Sequence, residues 1–209
     1  MRKSIRKGLV ASAVVAAGIG LTATPAMADA PWAITGANAD GSAAAESTNT
    51  SLRVVRNNAV LTCEVVAAEA NIENVTGHNG NAIAQITGSE WTSCTGPLNL
   101  SFNVVQNGTW NLNADQTTSD PNVNNGSITN VSATISGPGC TATFTGGVNG
   151  HYTNGDGILT LDPSDPDPRN TTLTASNVTG CLGIIVNGDT GEFSGDFFVD
   201  PAVTLTGTP

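Results

Sequence analysis

The chain has 209 residues, seven basic and seventeen acidic side chains, a formal charge of −10 and only 4% aromatics. Four of the seven basic residues lie within the first seven positions. Beyond residue 28 only Arg53, Arg56 and Arg169 remain, and the formal charge becomes −14. A surface of that sign repels phosphate backbones and anionic lipid, which excludes nucleic-acid binding; its simplest role is solubility.

The first 28 residues read as a signal peptide. Arg2, Lys3, Arg6 and Lys7 form a basic start, Leu9 to Leu21 an apolar core, and Ala26-Met27-Ala28 a small-residue cleavage site. Cleavage is expected between Ala28 and Asp29. The apolar stretch is too short to span a bilayer, and nothing downstream approaches about 20 continuous apolar residues, so no membrane insertion is expected. The mature chain, 29–209, is expected to be secreted as a single all-β domain, extracellular or associated with the cell surface.

From there the sequence alternates in polarity over short runs separated by turn residues, as antiparallel strands do. Trp32–Thr35 is the first strand. Residues 36–50, "GANADGSAAAESTNT", are small and polar and read as a loop. Leu52–Arg56, Val60–Ala67 and Ala82–Thr87 follow as strands. Leu98 to Val104 and Trp110 to Ala114 then present alternating apolar faces. Pairing them through Gln106-Asn107-Gly108 as a three-residue hairpin loop sets Val104 opposite Trp110, with Gly108 as the left-handed residue. Further strands are expected at Ile128–Ile135, Cys140–Thr145, Ile158–Leu161, Thr171–Val178 and Val203–Thr206. A second hairpin is expected from Leu182–Val186 to Gly191–Val199, with Ile184 across from Phe193. The six Asn-Gly steps, at Asn79, Asn107, Asn125, Asn149, Asn154 and Asn187, read as tight reversals. The expected fold is an antiparallel β-sandwich or partly open barrel of about a dozen short strands.

An internal repeat organises these elements. "ITGSEWTSCTG" (Ile86 to Gly96) and "LTASNVTGCLG" (Leu173 to Gly183) agree at the leading hydrophobe, Thr, Ser, Thr, Cys and Gly. It suggests two similar halves, 51–115 and 127–209. Cys63, Cys94, Cys140 and Cys181 belong to an exported chain, where disulfides are the default. The repeat favours Cys63–Cys94 and Cys140–Cys181, one bridge per half, while pairing between halves stays open. No Cys-x-x-Cys pair points to zinc. The Cys63…Trp91…Cys94 spacing is wrong for an immunoglobulin domain, whose Trp follows the first Cys closely.

Few residues carry chemistry. Asp162, Asp165 and Asp167 in "LDPSDPDPRN" are the one cluster that suggests a cofactor, calcium, although the spacing matches no known calcium loop. Otherwise the prolines make this a stiff acidic loop. His78 and His151 flank glycine-rich turns. No nucleophile elbow is present, and no constellation of nucleophile, base and orienting group can be assembled, so no catalytic residue and no enzyme are expected. A hydrolase built on two of the many acids is the third-ranked reading. Trp110 and Trp91 read as core; Trp32 is either surface or buried by an N-terminal strand. Asn-x-Ser/Thr triplets at Asn74, Asn107, Asn130 and Asn177 arise from composition, and the signal peptide looks like that of a high-GC Gram-positive bacterium.

"ISGPGCTATFTGGVNG" (Ile135 to Gly150) and "CLGIIVNGDTGEFSGDFFVDPAVTLTG" (Cys181 to Gly207) resemble small secreted actinobacterial β proteins without an assigned function. Cys-x-Ala-Thr-Phe-Thr-Gly at Cys140 to Gly146 and the late Val199-Asp200-Pro201-Ala202 are similar to the exported alkane-oxidation activator type. The likeness covers the second half of the chain. It implies a surface- or matrix-associated β protein and transfers no catalytic residue. The leading expectation is thus a non-enzymatic cell-surface or extracellular-matrix component that contacts cell wall, polysaccharide or further copies of itself. The alternative is a secreted module binding carbohydrate or another small ligand.

Overall fold

The computed structural model describes residues 31–208, so the signal segment and the Ala28/Asp29 cleavage site lie outside the described residues. Among the described residues fourteen strands form, in chain order: β1 (Trp32–Thr35), β2 (Ser42–Val54), β3 (Ala59–Ile72), β4 (Val75–His78), β5 (Ala84–Thr92), β6 (Cys94–Thr95), β7 (Ser101–Gln106), β8 (Trp110–Thr117), β9 (Val123–Gly137), β10 (Cys140–Thr153), β11 (Ile158–Leu161), β12 (Leu173–Gly180), β13 (Thr190–Asp200) and β14 (Thr204–Gly207). Every pairing is antiparallel.

Of the two expected architectures the partly open barrel fits: the large sheet is an eight-strand barrel with extra strands and is not clearly a sandwich. Five long strands, β2, β3, β9, β10 and β13, run its length. At one end β5 and β8 bridge β3 to β9, and β11 bridges β10 to β13, closing a ring of eight strands. At the other end β6 and β7 bridge β3 to β9, and β12 bridges β10 to β13. Closure pairs the strand edges that a sandwich leaves free. The small sheet β14-β1-β4 covers the first end, which we call the capped end. Trp32, 1% exposed, is the centre of its core, with Ile34, Ile72, Tyr152 and Leu205.

Both expected hairpins are replaced. β7 and β8 pair with β9 instead of with each other: Asn103–Gln106 run against Ser136–Ala133, and Asn111–Thr117 against Thr129–Asn124. They form one interrupted strand, kinked where Gly108 takes φ 71° and Asn130 on β9 takes φ 58°. Asn107 N donates to Ser132 O at 2.8 Å and Asn130 Nδ2 to Thr109 O at 2.8 Å, which holds the kink against β9. Gly108 has the expected left-handed backbone, but in a bulge and not in a reversal. Residues 182–186 make no strand. Cys181–Gly183 forms a single 3₁₀ turn, and β13 pairs with β2, β11 and β12.

Two Asn-Gly steps are also strand interior. Asn125-Gly126 and Asn149-Gly150 lie within β9 and β10, with Gly126 opposite Gly150. A Cβ at Gly150 would collide with Thr160 O on β11, and one at Gly126 with Asn113 O on β8. These glycines permit close backbone approach in the crowded ring. Residues 42–50, read as loop, form the first two-thirds of β2. Their inward face is built of Ala43, Ala45, Ser47 and Thr50, small residues that carry no hydrophobic alternation.

The disulfides are Cys63–Cys94 and Cys140–Cys181, with Cα separations of 4.0 and 4.1 Å. Each ties a long strand to the end of the neighbouring repeat phrase. Closing loops of 31 and 41 residues, each contributes roughly 3–4 kcal/mol in the chain-entropy account.

Candidate functional site

A barrel of eight strands is just wide enough for side chains to fill, or to hold one small ligand. Here filling is incomplete. A cavity of about 120 Å³ lies on the axis, walled by apolar side chains that include Leu61, Trp110, Ile128, Phe144 and Phe197. Its origin is a row of small side chains running across three strands: Ala45 on β2 faces Ala68 on β3, which faces Ser89 on β5. A second space of about 80 Å³ beneath the small sheet shares Ile72, Leu112 and Leu159 with the first. The polar groups of this second space are committed. Tyr152 Oη donates to Val203 O at 2.9 Å and Asn124 Nδ2 to Leu205 O at 3.0 Å, which fastens the cap sheet. Burial raises the Tyr152 pKa above its ordinary value, so the phenol keeps its proton.

The cavity reaches the barrel wall at a slit. Ile86 on β5 pairs with Trp110 on β8, and Cys94 on β6 pairs with Phe102 on β7. These pairs share one register, so the β5–β6 and β7–β8 segments form a single antiparallel pair that parts between them. Over residues 87–93 and 103–109 no ladder joins the two sides among the described residues. Ser89, Trp91 and Val104 line both the cavity and an outer groove of about 790 Å³ over the slit.

Two side chains define the slit. Trp91 is half-buried; its Nε1 donates to Ser89 Oγ at 2.9 Å, and its ring meets Phe193 edge-on with centroids 5.8 Å apart. Gln106 shares the inward face of β7 with Phe102 and Val104, both cavity residues. Its amide reaches across, Nε2 donating to Ile86 O at 3.2 Å and to Gly108 O at 2.8 Å. That orientation leaves Oε1 buried without a partner. A buried acceptor in that state carries a desolvation cost that a ligand donor would relieve. In the second half of the chain the equivalent side of β12 is covered. Ala175 N donates to Asp189 O, Gly188 N to Ala175 O, and Ile185 is 1% exposed. The repeat phrase is open in its first copy and plugged in its second.

The aspartates suggested for calcium do not converge. Asp162 Oδ1 accepts from Ser164 N and Oγ, both at 2.8 Å, which lowers its pKa; Asp165 pairs with His151 Nδ1 at 2.6 Å; Asp167 Oδ2 accepts from Thr171 Oγ1 at 3.1 Å. No group of three or more His, Cys, Asp or Glu side chains suited to a metal forms among the described residues. The loop instead buckles onto the barrel, with Asn149 Nδ2 donating to Asp165 O at 2.6 Å and Arg169 paired to Asp115. His78 Nδ1 accepts from Gly80 N within its own turn. All four cysteines are oxidised. The sequence hides the slit because Gln106 falls within the expected hairpin loop; the one local sign of it is an inward polar residue continuing the Phe102-Val104 alternation.

No family model, curated protein or solved structure matches this chain. No helix among the described residues is long and apolar enough to cross a membrane.

Proposed function

We propose that this protein is an exported, non-enzymatic binding module whose ligand is a small molecule with an apolar body and a single hydroxyl, an alcohol or a phenol. The observation that carries this reading is the apolar cavity of about 120 Å³ that meets the slit between β5 and β7. An engineered cavity of about 150 Å³ lined by aliphatic and aromatic side chains stays dry and takes up benzene; the space here is of that order. The apolar body would occupy the barrel, and its hydroxyl would donate to Gln106 Oε1. The cavity shifts the balance from the surface-component reading toward the small-ligand alternative. The two are compatible, and the surface reading is supported separately by an exposed apolar end of the barrel.

Titration with benzene and phenol, followed by calorimetry and by the indole resonances, tests the proposal. Saturable binding of both is expected, with phenol about tenfold tighter through one added hydrogen bond. The Trp91 and Trp110 indoles should shift while Trp32, which lines neither space, stays still. Gln106→Met should abolish the phenol preference and keep benzene binding. Absence of saturable binding by either compound overturns the reading; equal affinities in the native protein overturn the role of Gln106 alone.

A further inference from the structure

Opposite the capped end, the barrel closes through four loops: 55–58, 96–100, 138–139 and 181–189. Cross-contacts join three of them, and the Cys63–Cys94 bridge with the Thr62–Thr95 pairing holds the base of the fourth, 96–100, against β3. Arg56 Nη2 donates to Gly183 O at 2.8 Å, Asn57 Nδ2 to Ile184 O at 2.9 Å, and Cys181 N to Gly139 O at 2.9 Å. Of the large hydrophobic residues that stand exposed on the described surface, five sit here: Val55 at 39%, Val60 at 40%, Leu98 at 85%, Leu182 at 92% and Val186 at 39%. Leu98 and Leu182 lie just beyond Cys94 and Cys181, one from each half, and both adopt the left-handed backbone, with φ of 63° and 46°. That conformation disfavours a bulky side chain, and glycine or asparagine would adopt it more readily. Folding therefore gains nothing from leucine at either position.

Charge separates this end from the rest of the molecule. Below the level of Cys63 the described charged residues are Arg53, Arg56, Asp189 and Glu192, and they form two ion pairs, Arg53–Glu192 and Arg56–Asp189. The end is neutral, and among the described residues the negative excess lies above it. We propose that this end docks on a lipid surface of zwitterionic headgroups, with Leu98 and Leu182 inserted at the acyl boundary. A neutral apolar tip escapes headgroup repulsion, while the acidic body stays in solvent. A rigid protein partner fits less well. The two most exposed side chains, Leu98 and Leu182, project singly from separate loops, and a specific protein interface needs about 800 Å² per partner of continuous complementary surface. A fluid interface accepts separate points.

Co-sedimentation of the mature protein with phosphatidylcholine vesicles tests this, with oligomeric state followed by sedimentation velocity without lipid. The native protein is expected to pellet with vesicles and to remain monomeric without them. Leu98→Asn/Leu182→Asn should weaken partitioning about a hundredfold, roughly tenfold per buried leucine, with a melting temperature unchanged or raised. Equal partitioning of the double variant, or no partitioning of the native protein, overturns the proposal. Concentration-dependent dimerisation abolished by the same variant overturns it in favour of a second copy. Leu182→Asn alone serves as the second variant should the pair disturb folding. Because phenol uptake is read in the absence of lipid, failure here leaves the cavity reading standing, and the reverse also holds.

Discussion

Replacing Ala68 by isoleucine should stabilise the barrel and close its cavity to ligand. Ala68 is the middle of the small row, flanked by Ala45 and Ser89, and its side chain lines the cavity. The substitution adds three carbons. At about 0.8 kcal/mol per buried methylene they are worth roughly 2.4 kcal/mol, from which ordering the side chain removes up to about 1 kcal/mol. An independent estimate from the void gives a ceiling: a cavity of about 120 Å³ at ~24 cal/mol per Å³ costs about 2.9 kcal/mol when empty. A net gain of about 1.5 kcal/mol is therefore expected, and β-branching suits the strand. Urea denaturation measures the gain as a raised midpoint with an unchanged slope. Benzene titration should show binding lost. A loss of stability of 1 kcal/mol or more would mean that the row is already packed, and the cavity argument would fail with it. Retained benzene binding in a stabilised variant would place the ligand elsewhere.

Asp189 organises the 181–189 loop: Arg56 Nε and Nη2 donate to its two carboxylate oxygens at 2.6 and 3.0 Å, and Val186 N donates to Oδ2 at 2.9 Å. Asp189→Asn should cost about 1 kcal/mol, discounted because the Arg56 side of the pair faces solvent. Its pKa is lowered, first by the Arg56 hydrogen bond, so its stabilisation is complete above the ordinary carboxylate pKa near 4 and is lost as pH falls through the lower folded-state value. Denaturation curves of variant and native protein should converge in that acidic window; a gap that persists at the lowest pH would contradict the assignment. Tyr152→Phe leaves Val203 O without its donor and should cost about 1 kcal/mol. Hydrogen exchange should quicken in β1 and β14 while β2, β3 and β10 keep their protection; a uniform change would show that the cap sheet does not open separately.

Much of the fold is visible in local sequence. β1 and β11 have the expected bounds, the hydrophobic alternation located the centres of β3, β9 and β12, and it caught only the first halves of β5 and β10. Trp110 is core, as its place among alternating apolar residues indicates, and Trp91 is half-buried against Phe193. The repeat marked the cysteine pairing, because matching cysteines at the ends of matching strands meet the neighbouring long strand in the same way. The acidic loop is a loop, since its prolines cannot support a ladder.

What the chain alone determined was its strand-forming character, its cross-links and its acidity, properties set by residue type and near-neighbour spacing. Tertiary structure decided which strand edges meet. β9 captures β7 and β8 end to end, so Asn107-Gly108 becomes a kink where a hairpin was expected. β13 and β3 flank the small residues 42–50 and draw them into a strand. Closure of the ring then leaves one parted seam beside a row of small side chains, and that coincidence makes the cavity and its slit. Backbone pairing between distant segments is indifferent to the local pattern that signals a strand or a turn. The first copy of the repeat, Ile86 to Gly96, therefore shows its cysteine corner in the sequence and its slit only in the folded barrel.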